Sequence, residues 1–66
     1  MEKRFFVGSL NAEGEMLNEV ELRDFADLNK IISRVGITQD EIVTTECLDE
    51  VVHKVIGRGF YFRAQW

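Results

Sequence analysis

One cysteine, Cys47, and one histidine, His53, are all that this 66-residue chain offers for crosslinking or metal ligation. An internal disulfide needs two thiols, and a structural zinc needs about four nitrogen or sulfur ligands. The fold must therefore rest on packing. A chain of this length buries only roughly 60% of the surface its unfolded form exposes, which leaves packing alone marginal. The sequence predicts a single domain, 1–66, whose core is either unusually well packed or completed by another chain. A protein partner is expected, with homodimerisation as its companion. No metal and no cofactor is expected.

Hydrophobic residues make up 45% of the chain and charged residues 30%, the profile of a folded protein rather than a disordered one. Twelve acids against eight bases give a net charge of −4. That balance argues against a nonspecific nucleic-acid binder, because phosphate contacts need clustered Lys and Arg. No apolar run approaches the ~18 residues that span a bilayer. The apolar stretch after Arg4 stops at Gly8, too short for the core of a signal peptide. A lone cysteine fits a reducing compartment, so a cytoplasmic location away from membranes is expected.

The fold class read from the chain is α+β, a small sheet of about four strands packed on one face by two helices in the order β-β-α-β-α-β. Residues 4–10 are aromatic and β-branched and predict a strand. Asn11-Ala12-Glu13-Gly14 predicts a turn, and 17–23 alternate with period two, closing a hairpin. A helix reaching back to Met16 is the rival reading of that second stretch. Asp24 suits an N-cap; Phe25, Leu28, Ile31, Ile32 and Val35 recur at helical spacing; Gly36 supplies the stop. Residues 41–46 carry adjacent β-branched side chains and predict a strand. Leu48, Val51, Val52, Val55 and Ile56 fit a second helix, with Asp49 and Glu50 at its positive end and Lys54 near its negative end. The same valines also fit a hairpin strand turning at Gly57-Arg58-Gly59. Phe60 to Trp66 is the last strand, with Phe60, Phe62, Ala64 and Trp66 on one face.

Helices on one face leave the other to water or to a partner. That open face is expected to carry Glu19, Glu21, Arg23, Tyr61, Arg63 and Gln65. In the first strand Phe5 and Val7 point one way and Phe6 and Leu10 the other, so one pair is expected to form an external apolar patch.

Two short stretches resemble the boxes of the RNA-recognition motif. Phe5-Phe6-Val7-Gly8-Ser9-Leu10 is similar to the shorter box, and Arg58-Gly59-Phe60-Tyr61-Phe62 to the start of the longer one. The resemblance implies adjacent central strands whose exposed aromatics stack bases. Tyr61 stands where that family has Gly or Ala, and Arg63 where it usually has Val. A single-stranded RNA or DNA binder using Phe6, Tyr61 and Arg63 is therefore the alternative reading. Gly36-Ile37-Thr38 has the look of a helix-turn-helix corner, but the helix beyond it would bring Asp40, Glu41 and Glu46 to phosphates that repel them. A small Cys47–His53 enzyme is a third reading. Six residues apart, the two do not share a helical face, and a buried thiol with a surface imidazole accounts for them. The chain is read as not an enzyme.

The most informative stretch is Thr38 to Glu50, with five acids, Asp40, Glu41, Glu46, Asp49 and Glu50, and no base. A solvated edge with helix N-terminal acids explains it blandly. The sharper reading is a negative patch that docks on a basic surface, since such patches speed association and select partners. The function expected from the sequence is accordingly a small acidic interaction module, an inhibitor or adaptor of a nucleic-acid-handling protein. Its partner-binding residues are the five acids together with Glu19, Glu21, Tyr61, Arg63 and Trp66. The Phe60–Trp66 strand, read as a sheet edge, is the expected dimer contact.

Overall fold

The computed structural model describes residues 3–66. Asn11 starts the chain folding back on itself. Its side-chain oxygen accepts from the amides of Glu13 and Glu15 at 3.0 and 2.8 Å, and Gly14 takes φ 81°. This turn joins β1 (Arg4–Leu10) to β2 (Met16–Leu22) as an antiparallel hairpin. The pairing slips once. Val7 faces Val20 and Ser9 faces Leu17, so Asn18 and Glu19 together oppose Gly8. Asn18 absorbs the bulge at φ 54°, a left-handed conformation that Asn tolerates better than most residues.

The helix α1 (Phe25–Val35) begins where Asp24 accepts from the Asp27 amide at 3.1 Å. It ends at Gly36, φ 73°, where the amides of Gly36 and Ile37 both return to the Ile32 carbonyl. A 3₁₀ turn, Gln39–Glu41, leads into β3 (Val43–Glu46). β4 (Glu50–Val55), a second 3₁₀ turn at Ile56–Arg58 and β5 (Phe60–Gln65) follow.

The class is α+β, with two corrections to the expected detail: the described residues form five strands, not about four, and one α-helix, not two. The segment expected to be the second helix is β4, the strand alternative. Its valines are stiff at χ1 and suit a pleated strand, and β4 pairs along its length with β5 on one side and with β3 on the other. Leu48, which a helix would have buried, stands 98% exposed in the β3–β4 turn. Gly59 closes the β4–β5 connection at φ 74°.

All pairings are antiparallel and the order is β2-β1-β5-β4-β3. The last strand is thus the middle one. The expectation that Phe60–Trp66 forms a sheet edge open to a second copy is corrected, because β5 is paired on both sides, with β1 and with β4.

On the helix side, Leu28, Val55 and Phe62 form a buried cluster, extended by Phe5, Val7, Leu22 and Ile32 among others. The opposite face is not the open surface expected. Leu10, Val52 and Tyr61 make a second buried cluster there, and Phe6 is 8% exposed. Neither apolar set of β1 forms an outer patch. Among the described residues no helix is long and apolar enough to cross a membrane.

Candidate functional site

Most residues singled out in the sequence fall into two places, and the structure adds a third. The first is the sheet face away from α1. The bulge at Asn18 directs Glu19 across that face, where its carboxylate meets β5. Arg63 donates to it through Nε and Nη2, both at 2.7 Å, and the Tyr61 hydroxyl donates at 2.6 Å. The Arg63 hydrogen bonds, reinforced by that of Tyr61, hold Glu19 down to about 2 against the desolvation that opposes them. Desolvation, with the Glu19 carboxylate beside it, pushes the Tyr61 phenol up to about 12. Arg63 also pairs with Glu50 at 3.3 Å and lies 4.1 Å from the centre of the Phe6 ring. Glu21 pairs with Arg4 at 2.8 Å on the same face. Glu19, Glu21, Glu50, Tyr61 and Arg63 are thus brought together, but they spend their charge and polarity on one another. Tyr61, 1% exposed, lies with its ring against Gly8 and offers no face for a base to stack on. Trp66 stands apart, half exposed, with the Lys3 ammonium 5.4 Å from its ring.

The second place is the surroundings of β3. Glu41 is bound to Arg58 at 2.7 Å and accepts from the Thr38 amide, which together hold it down to about 2. Asp40, Glu46 and Asp49 are exposed and, among the described residues, belong to no ion pair. Asp40 precedes β3; Glu46 ends it; Asp49 lies in the turn beyond. The run of five acids therefore divides into two that brace the fold and three left free around a sheet edge. β3 pairs only with β4, and all four of its residues are exposed.

The third place was not legible in the sequence. Beside β3, on the helix side of the sheet, lies an open concavity of about 390 Å³ lined by Gln39, Asp40, Ile42, Thr44, His53 and Phe62. Thr44, His53 and Phe62 stand in one cross-strand row, directly opposite one another on β3, β4 and β5. The imidazole stacks on the Phe62 ring, 4.8 Å between centroids, and its Nδ1 lies 3.0 Å from the Thr44 hydroxyl. Burial pushes His53 below its ordinary value, only partly offset by the Glu46 carboxylate. Cys47 is exposed in the β3–β4 turn and does not line this space. The row could have been found only by knowing that 50–55 is a strand, since a helix there would have turned His53 elsewhere.

At the opposite edge, β2 exposes Leu17 and Val20, but the bulge at Asn18 interrupts its outer backbone. Among the described residues no group of three or more His, Cys, Asp or Glu is placed to hold a metal ion. Comparison of the chain with family models, with curated proteins and with solved structures finds no match.

Proposed function

We propose that this chain is a non-enzymatic protein-interaction module that docks on a basic surface of a partner through β3 and the acids around it. The observation that carries the reading is the free edge of β3, flanked by Asp40, Glu46 and Asp49, which pair with no cation among the described residues. An unpaired strand edge is a template for another chain, and a negative surround selects a positive one. Proteins that handle nucleic acids carry the basic patches that match, so an inhibitor or adaptor of such a protein is the role in view. A reducing, cytoplasmic setting suits the single exposed thiol. Binding of single-stranded nucleic acid through the sheet face has less support, because the Phe6 and Tyr61 rings are buried and Arg63 is already paired with two carboxylates.

The test is capture of partners on the immobilised chain beside a variant carrying Asp40→Lys, Glu46→Lys and Asp49→Lys. Identified basic proteins retained by the first and lost by the second support the proposal. Partners held equally by both would overturn it.

A further inference from the structure

We infer that the uncovered end of the helix-side sheet face receives an arginine side chain carried by an extended partner segment that adds to the edge of β3. The inference deepens the function proposed above and rests on it.

Thr44, His53, Phe62, Val7 and Val20 lie opposite one another across all five strands. α1 covers the middle of the row, where Phe62 joins the Leu28 cluster. The Thr44–His53 end is bare and opens on the edge of the sheet. A sixth strand beside β3 would place one residue next to Thr44 in the same row. Its side chain would point to the same face, because side chains alternate strictly along strands. A strand added in this way gains its affinity from main-chain hydrogen bonds and its specificity from the pockets under alternate side chains. Here the pocket under that position is the concavity.

Its lining specifies the guest. A long side chain would cross Thr44 and lie on the exposed side of His53, whose ring is held by the Thr44 hydroxyl and backed by Phe62. Burial lowers the pKa of the imidazole and so favours its neutral form, which does not repel a cation. Asp40 and Gln39 also line the concavity and bring a carboxylate and an amide to it. A flat ring and a carboxylate in one lining suit a guanidinium, which stacks with its face and donates two parallel hydrogen bonds with its edge. A lysine has no plane to stack. The other edge strand, β2, is interrupted by its bulge.

The test uses the full chain labelled with ¹⁵N, titrated with the N-acetylated, C-amidated pentapeptide TVRVT and followed by amide chemical shifts. A second peptide replaces arginine by citrulline, which keeps the shape and removes the charge. Shifts confined to residues 43–46, His53 and Phe62, with citrulline and the Asp40→Asn variant each weakening binding about tenfold, are expected. Shifts elsewhere with 43–46 silent would overturn both the arginine site and docking through β3. Equal binding of the citrulline peptide with shifts at 43–46 would overturn the arginine site while leaving docking at the β3 edge to the capture test above. Absence of shifts up to roughly 10 mM peptide, above the millimolar constants of the weakest specific contacts, would overturn the arginine site.

Discussion

At the scale of single residues, the absence of a side chain at Gly8 is as consequential as any side chain present. A Cβ there would come within 2.6 Å of the Tyr61 ring and 2.8 Å of the Leu17 carbonyl, and the second of these is backbone that cannot swing away. Gly8→Ala is expected to cost roughly 1–3 kcal/mol, the usual penalty of overpacking, read from urea unfolding. Glu19 makes a prediction about acid. Its carboxyl titrates at about 2 in the folded chain against an ordinary 4.5. The stability it confers is therefore complete above pH 4.5 and drains away as pH falls towards 2. Glu41, also held at about 2, adds to the same loss. The urea midpoint should drop across this window, and Glu19→Gln should flatten the drop without abolishing it. Parallel curves for the two proteins would mean that the Glu19–Arg63 pair does not form in solution. The alternation of the strands put Glu19, Tyr61 and Arg63 on one sheet face, but not in contact: 42 positions separate Glu19 from Tyr61 and 44 separate it from Arg63, so no local period pairs them.

At the scale of elements, what is locally encoded was readable. β1 lies where its aromatic and β-branched residues put it and α1 where capping and helical spacing put it, and the ends of β2, β3 and β5 differ from the expected ones by at most two residues. The caps of α1 should each carry weight. Asp24→Ala removes the acceptor for the Asp27 amide, and Gly36→Ala forces a Cβ into left-handed backbone with nothing near it. Each is expected to cost about 1 kcal/mol by chemical denaturation. The segment 50–55 was not decided by its own pattern. Val51, Val52 and Val55 satisfy one stripe of a helix and two faces of a doubly covered strand equally well. Val52 is buried with Leu10 and Tyr61 on one side, and Val55 with Leu28 and Phe62 on the other. A strand with apolar residues on both faces loses the alternation by which a strand is recognised. The acids before it mimicked a helix start, whereas Glu50 in fact answers Arg63 across the sheet.

At the scale of the whole molecule, the strand order is what local signals least determine, because it depends on which distant strands meet. β5 joins the β1–β2 hairpin to the β3–β4 hairpin, with Arg4 opposite Gln65 and Val55 opposite Phe60. Such distant pairing makes folding slow for so short a chain, in the millisecond range or beyond, as stopped-flow refolding should show. Cutting the chain after Gly59 is expected to abolish cooperative unfolding, seen by circular dichroism, since a lone two-stranded hairpin is barely stable in water. The central position of β5 also bears on synthesis. β5 is the last of the five strands to be made, so until it emerges Phe5, Val7 and Val55 lack the partners it brings, and the growing chain exposes apolar surface of the kind that aggregates or is held by chaperones.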